Sequence, residues 1–308
     1  IPNWNGAHHL ATCLESLAAQ THTDREVVVV DNGSTDDSEE LVRKRFPWAR
    51  YVPLGRNSGF TGAVNAGIRV ATGPVVALLN NDTEADPGWL AAIAGCFLRE
   101  PGVSLVATKL LLFDRRDTLH SAGDFYGLDC IPGNRGVWER DVGQFDARLE
   151  AFGACGGAAA YRRELFGDVG LFDERLFMYC EDVDLNLRAA LGGHRCRFVP
   201  EARVYHKLSA TGGGPIASYY CGRNFLEVAL RNVPTASLRR HWWRIVGAQL
   251  RIAAEAVACW REPAARARVR GQIDAIRRIP ATLGGRGPRL RRHRISATDY
   301  EALVVRTR

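Results

Sequence analysis

Two stretches of the chain end an apolar run in side chains that can bind a cation or a charged ligand. Val75-Val76-Ala77-Leu78-Leu79 is followed directly by Asn80-Asn81-Asp82-Thr83, and Glu26-Val27-Val28-Val29-Val30 by Asp31-Asn32-Gly33-Ser34-Thr35-Asp36. Amides and carboxylates at the carboxyl ends of two buried parallel strands reach the rim of an open α/β sheet, where such sheets bind their ligands. Asp82 is the metal candidate, because an oxygen-rich site suits a hard divalent ion. The same residues also read as turn chemistry, with Asp82 or Thr83 capping a helix that starts near Pro87.

A further acidic group follows an aromatic run, in Phe177-Met178-Tyr179-Cys180-Glu181-Asp182-Val183-Asp184-Leu185. Its carboxylates fall in the first turn of a helix that Gly192-Gly193 stops, so they suit the macrodipole and form a well-capped start. They also suit a general base in a half-dry cleft, where burial and like-charged neighbours tune one carboxylate. His206 ends a short strand, as an exposed or core residue or as a ligand. The glycines between Gly55 and Gly67 permit close backbone approach, and a helix near Thr61 would aim free N–H groups at an anion. No Gly-Lys-Ser/Thr closes that loop, so it is not a P-loop.

The elements that must carry these residues alternate. Helices are expected over His8–Gln20, Glu39–Phe46, Trp89–Leu98 and from Tyr219 to Arg231, with strands at Tyr51–Leu54, Val103–Leu112, Arg195–Val199 and Arg203–Tyr205. Phe113 to Leu149 loses periodicity and reads as an irregular insertion or short β-hairpin. Thr211-Gly212-Gly213-Gly214-Pro215 reads as a mobile loop suited to a lid. From Trp242 to Trp260 a narrow polar stripe faces a broad apolar one, which suits a membrane interface or packing against protein. The stretch beyond Ala281 is expected to be poorly ordered until Tyr300.

Composition narrows the classes. A chain of 308 residues, 46% of them apolar, can bury a sizeable core. No stretch has the uncharged length of a membrane span, no signal peptide is read at the start, and Ile1-Pro2-Asn3 reads as the end of a strand whose first half is absent. The eight cysteines are scattered without a Cys-x-x-Cys pair, which suits reduced cytosolic thiols over zinc or redox sites. Arg261 to Arg294 holds eleven arginines against Glu262 and Asp274, a local +9 in a chain of net +7. The basic character therefore belongs to the tail and points to an anionic surface, with no nucleic acid gripped across the whole protein.

The ordered blocks Asn3-Trp4-Asn5-Gly6, Val30-Asp31-Asn32-Gly33-Ser34-Thr35-Asp36, Asn57-Ser58-Gly59-Phe60, Leu79-Asn80-Asn81-Asp82-Thr83, Gly170-Leu171-Phe172-Asp173-Glu174 and Tyr179-Cys180-Glu181-Asp182-Val183-Asp184-Leu185, with His206 following, resemble the motifs of family-2 inverting glycosyltransferases of the GT-A fold. The likeness is to the bacterial rhamnosyltransferase-like branch. It implies an α/β fold with a Rossmann-like, mostly parallel central sheet and flanking helices over 1–234, N-terminally truncated, and a helical, Arg-rich C-terminal extension over 235–308. It implies that Asp31 contacts the base or its ribose, that Asn3, Asn57 and Gly59 line the nucleotide pocket, and that Asn80-Asn81-Asp82 stands at the DxD position on the donor. Asp82, with His206, would hold Mg²⁺ or Mn²⁺; Asp182 would be the base and Glu181 would orient the acceptor. Asn80 departs from the pattern, being a neutral and weaker ligand than Asp.

The resemblance further implies transfer of a sugar, rhamnose from dTDP-rhamnose, to a hydroxyl of a lipid-linked or polysaccharide acceptor. A UDP-sugar such as galactofuranose or GlcNAc is the alternative donor. The expected place is cytoplasmic, peripheral on the inner face of the plasma membrane, with oligomerisation open. A non-catalytic scaffold gripping lipid or nucleic acid through the tail is the rival reading. A nicotinamide dehydrogenase is disfavoured by the missing dinucleotide glycine pattern.

Overall fold

The computed structural model describes residues 1–207 and 213–307. The chain opens with β1 (Pro2–Asn3), α1 (Ala7–Ala18), β2 (Val28–Asp31), α2 (Ser38–Arg45), β3 (Arg50–Pro53), α3 (Gly59–Val70) and β4 (Val75–Leu79). It continues through β5 (Thr83–Ala85), α4 (Trp89–Arg99), β6 (Val103–Leu112), β7 (Leu119–Ser121), β8 (Asp124–Tyr126), β9 (Pro132–Asn134), β10 (Glu150–Ala151), β11 (Ala158–Arg162) and α5 (Arg163–Val169). The last stretch holds α6 (Glu181–Leu191), β12 (Arg195–His206), α7 (Gly214–Asn232), α8 (Thr235–Ala258), α9 (Pro263–Arg277), α10 (Ile279–Gly284), α11 (Gly287–Leu290) and α12 (Ala297–Arg306). Thr211 and Gly212 of the expected lid lie outside the described residues, whereas Gly214 and Pro215 form the first turn of α7.

Strands β1, β2 and β3 pair in parallel in one sheet. A larger sheet runs β10-β12-β6-β11-β4, with β5 added on β12 and β7 on β6. β6 and β12 are parallel, while β11 enters antiparallel to both β4 and β6, so this sheet is mixed. The period of two along β6 sends Val106 and Leu110 to the core beneath α1 and α4, and Leu105, Ala107 and Leu111 to the core beneath α3, α5 and α6. The sheet is thus covered on both sides at β6, whereas β4, expected to be buried and parallel, lies at the sheet edge antiparallel to β11, with Val75 and Val76 half-buried and Ala77 exposed.

Two expectations need correction, and a third, the short β-hairpin between Phe113 and Leu149, is borne out. Arg195 to Tyr205 is one strand, not two; its register shifts between Val199 and Arg203, so Pro200 sits in an irregularity and not in a break. The stretch from Phe113 to Leu149 contains β7 and the β8–β9 hairpin, tied down by the buried Arg135 guanidinium, which donates to the carbonyls of Ala122, Arg148 and Glu150. The stretch beyond Ala281 is helical, because its arginines are consumed by the body: Arg286 donates to the carbonyls of Leu230 and Val233, and Arg289 to Asp173 and Asp184. Helix α7 packs closely on α9, since a side chain at Gly271 would strike the Tyr219 carbonyl and one at Gly222 the Arg268 carbonyl.

Candidate active site

β1 and β2 end in register at Asn3 and Asp31, and both side chains are buried. Asn3 Nδ2 donates to Asp31 Oδ1 at 3.2 Å, and Asn3 Oδ1 accepts from Asn81 Nδ2 at 2.7 Å. One asparagine therefore joins the tip of β2 to the segment after β4. Asn32, which sequence reasoning left without a role, shapes the next loop: its Nδ2 donates to Asn57 Oδ1 at 3.1 Å and the Gly59 carbonyl at 3.0 Å, and its Oδ1 accepts from Ser58 N at 2.8 Å. Gly59 has φ +77°, and a Cβ there would lie 2.6 Å from the Phe177 ring, so glycine is required.

Asn3, Asn57, Gly59, Asn80 and Asn81 line one cavity of about 290 Å³, together with Trp4, Phe177, Met178, Ile216 and Tyr220. Asp31 lies behind Asn3, outside the lining. A larger cavity, about 730 Å³, sits between β2, α3, β4 and α4 and holds none of the candidate residues. At the start of α3 two backbone N–H groups are already used, which favours the tight-turn and close-packing reading of this loop over an anion cradle. Gly59 N donates to Asn57 Oδ1 at 2.9 Å, and Thr61 N to the Phe177 carbonyl at 3.2 Å.

Asp82 meets His206 because β5 pairs antiparallel with β12, with Thr83 opposite His206. His206 Nε2 stands 3.2 Å from Asp82 Oδ1, an ion-pair distance off the hydrogen-bonding direction, and that oxygen has no hydrogen-bond partner. Asn80 Oδ1 is likewise buried and unpartnered. An orphaned carboxylate oxygen beside an imidazole, with a second unpartnered oxygen two residues earlier in the chain, suits Mg²⁺ or Mn²⁺. Among the described residues no group of three or more His, Cys, Asp or Glu side chains is placed to hold an ion. His206 Nδ1 lies 3.1 Å from His120 Nδ1, where one ring donates and the other accepts. When His206 Nδ1–H donates, its Nε2 keeps the lone pair a ligand needs. Burial first, and then His206, lower His120 to about 3, so its ring is neutral and able to accept.

Helix α6 brings the acids. Asp182 accepts from Gly156 N at 2.8 Å and Val183 N at 2.7 Å; burial pushes its carboxyl up, and these N–H groups hold it down. Glu181 is buried with Oε2 unpartnered, and burial, then Asp182, raise it well above its ordinary value. Asp124, which nothing in the sequence singled out, is buried on β8. Burial and then the Asp182 charge push it up to about 8, against hydrogen bonds from Ser121 and Asn134. Asp182 accepts backbone N–H bonds from two neighbouring residues, so it is the acid of the three best placed to ionise.

Asp184, expected among the same group, is turned away: it pairs with Arg188 at 2.8 Å and with Arg289, and accepts from Asn232 at 2.8 Å. The backbone that enters α6 is left-handed at Phe177, Tyr179 and Cys180 (φ +66°, +63° and +63°), a conformation that non-glycine residues hold only under constraint.

Gly156 and Gly157 join the two corners. A Cβ on Gly156 would lie 3.2 Å from Asp182 Oδ2, and one on Gly157 3.3 Å from His206 Cε1, while Asn80 N donates to the Gly157 carbonyl at 3.0 Å. Asp31 thus joins Asn81 through Asn3, and Gly156 and Gly157 lie beside Asp182 and His206, whereas Asp31, Asp82, Glu181, Asp182 and His206 are not among the residues that line the cavity.

A family profile described as glycosyl transferase family 2 matches residues 1–170, more than half of the chain. The chain belongs to glycosyl transferase family 2. This glycosyltransferase is 29% identical over 262 residues to the N-acetylglucosaminyl-diphospho-decaprenol L-rhamnosyltransferase of Mycobacterium tuberculosis, a match covering 77% of this chain and 82% of that one. Its fold resembles that of the mannosyltransferase PcManGT from Pyrobaculum calidifontis in complex with GDP-Man and Mn²⁺, with TM-score 0.56, 20% identity and coverage of 99% and 84% of the two chains. It also resembles TarS 1-349 of S. aureus in complex with UDP-GlcNAc, with TM-score 0.55, 20% identity and coverage of 79% and 68%. The α/β GT-A fold and the glycosyltransferase activity expected from the sequence motifs hold.

Proposed function

We propose that this glycosyltransferase inverts the anomeric centre and moves rhamnose from dTDP-rhamnose to a hydroxyl of a lipid-linked acceptor at the inner face of the cell membrane. The observation that carries the mechanism is the placing of Asp182: its carboxylate is fixed by the Gly156 N–H, one residue from the glycine that packs on His206. The rhamnosyl donor and lipid-linked acceptor are supported by what the Mycobacterium tuberculosis relative is named for. Residues 1–234 form the catalytic domain in this reading, and 235–308 an extension that packs on it.

Asn3, Asn57, Gly59, Asn80 and Asn81 hold the nucleotide sugar in the amide-lined cavity, where Asp31 fixes Asn3 from behind. Asp82 and His206, with Asn80 Oδ1 at hand, would hold the Mg²⁺ or Mn²⁺ ion, which when bound neutralises charge on a leaving diphosphate. Asp182 accepts the proton of the acceptor hydroxyl as that oxygen attacks the anomeric carbon from the face opposite the diphosphate. Glu181, kept protonated by its surroundings, donates a hydrogen bond that orients the acceptor.

The test is nucleoside diphosphate release by Asp182→Asn across a panel of nucleotide sugars. The reading expects kcat to fall by roughly 10²–10⁴-fold with donor affinity unchanged. Turnover of that variant at the parent rate would remove Asp182 from the role of base, and a larger donor-induced rise in melting temperature with a UDP-sugar than with dTDP-rhamnose would replace the donor.

A further inference from the structure

Helix α8 has two faces. Ser237, Ile245, Ala248 and Ala256 are buried against the body. The other face exposes Trp242 (62%), Val246 (47%), Leu250 (65%) and Val257 (58%), followed beyond the helix end by Trp260 (50%). Spacings of three, four and seven residues keep these side chains in one stripe along a helix of 24 residues, about 36 Å long. Neighbouring α9, joined to α8 by Gln272 Nε2 donating to the Gln249 carbonyl at 3.0 Å, exposes Ile273 and Ile276 as well.

Arginines flank the stripe. Arg239, Arg261 and Arg270 have no acidic partner among the described residues, and Arg244 lies over the Trp243 ring at 4.9 Å. No helix among the described residues is long and apolar enough to cross a membrane. An exposed apolar stripe with tryptophans at its ends and unpaired arginines beside it suits a helix lying in the plane of a bilayer, with indoles at headgroup depth.

We infer that the exposed face of α8 and α9 docks the enzyme on an anionic lipid surface. Charge selects this occupant over a second copy of the chain. A two-fold pairing of the face with itself would set arginines against arginines, and its nearby acids are Glu262, a Glu255 already paired with Arg251 and an Asp274 already paired with Arg277. Nucleic acid is disfavoured because Val246, Leu250 and Val257 offer aliphatic surface that neither phosphates nor base edges match.

The placement suits a lipid-borne substrate. Helix α7 contributes Ile216 and Tyr220 to the donor cavity, and its Tyr219 hydroxyl donates to Asp274 on α9 at 2.8 Å. The docking layer is therefore one helix away from the cavity, about 10 Å by ordinary helix packing. The purpose of the surface rests on the lipid-linked acceptor reading, whereas the binding itself needs neither donor nor acceptor.

The experiment measures binding of the full chain to phosphatidylcholine vesicles with and without phosphatidylglycerol, by co-sedimentation and tryptophan emission. Binding that requires the anionic lipid, shifts the emission to the blue and weakens with salt is expected. The double variant Trp242→Ser/Leu250→Ser should bind about tenfold more weakly, with its melting temperature and donor-dependent nucleotide release unchanged. No binding to anionic vesicles, equal binding by the variant, or a dimer that the same substitutions dissociate would overturn the inference. Vesicle binding without transfer to any lipid acceptor would instead overturn the acceptor reading alone.

Discussion

Replacing Arg289 with Met tests whether the C-terminal arginines are part of the catalytic fold. In the native protein the Arg289 guanidinium reaches three groups: Asp184 Oδ1, Asn232 Oδ1 at 2.8 Å and Asp173 Oδ2 at 2.5 Å. Removing one partner from a buried ion pair costs about 3–5 kcal/mol when the remaining charge is left alone. Here Asp184 keeps Arg188 at 2.8 Å and Asn232 at 2.8 Å, and Asp173 keeps Arg231 at 2.5 Å and Arg175 at 3.0 Å. Because both carboxylates keep other partners, the loss falls below that range, ~2–3 kcal/mol, or a fall in melting temperature of roughly 3–5 °C for a chain of this length. Burial alone would raise the Asp184 carboxyl, but Arg188, Arg289 and Asn232 together hold it below the usual carboxylate range. A depressed folded pKa contributes stability that is present above the unfolded value, about 3.9 for Asp, and is lost as pH falls through the folded one. Urea unfolding followed by circular dichroism should show the full gap between parent and variant at pH 7 and a smaller one below about pH 4. A gap under ~0.5 kcal/mol at neutral pH, or one that does not shrink in acid, would refute the reasoning.

Three further substitutions probe the site. Asn80→Asp restores a charged oxygen beside Asp82 and should tighten Mn²⁺ binding by the order of tenfold, read by titration calorimetry; unchanged affinity would remove Asn80 from the ion's surroundings. His120→Phe removes the partner of His206 Nδ1 and should weaken Mn²⁺ binding about 10- to 100-fold, whereas equal affinity would leave His120 a packing residue. Asp124→Asn mimics the protonated acid. Because the folded pKa of Asp124 is raised to about 8, its stabilising proton is fully held below the unfolded pKa and lost as pH rises to that value. The parent's melting temperature should therefore fall relative to the variant's between about pH 4 and pH 8, and parallel curves would show that Asp124 does not hold the proton.

Much of this arrangement is legible in the sequence where a single strand carries both signals, an apolar run and a polar tip. Val28 to Asp31 and Val75 to Asn80 are of that kind, but they lie in two different sheets, and their tips are joined through the Asn3 side chain and not along one sheet edge. Asn32, His120 and Asp124 are silent because their roles depend on pairing across distant segments: His120 matters only once β7 lies against β6, which runs beside β12 and so beside His206. Asp184 and Asp182 look alike in sequence; Arg188 one turn on, and Asn232 and Arg289 from distant segments, are what separate them. The tail misleads for the opposite reason. Arg286 and Arg289 read as part of a basic tail facing an anionic surface, yet both are satisfied by carbonyls and carboxylates of the body.

The cavity proposed to take the donor has one more consequence. Its polarity comes from five asparagines, and none of the described side chains that line it is basic. A diphosphate entering such a neutral chamber finds no protein counter-charge on its walls, so cation and nucleotide sugar become mutually dependent ligands. By reciprocity, whatever factor the ion adds to the nucleotide's affinity, the nucleotide returns to the ion's. A chelator should then empty the chamber as effectively as withdrawing the sugar nucleotide releases the metal.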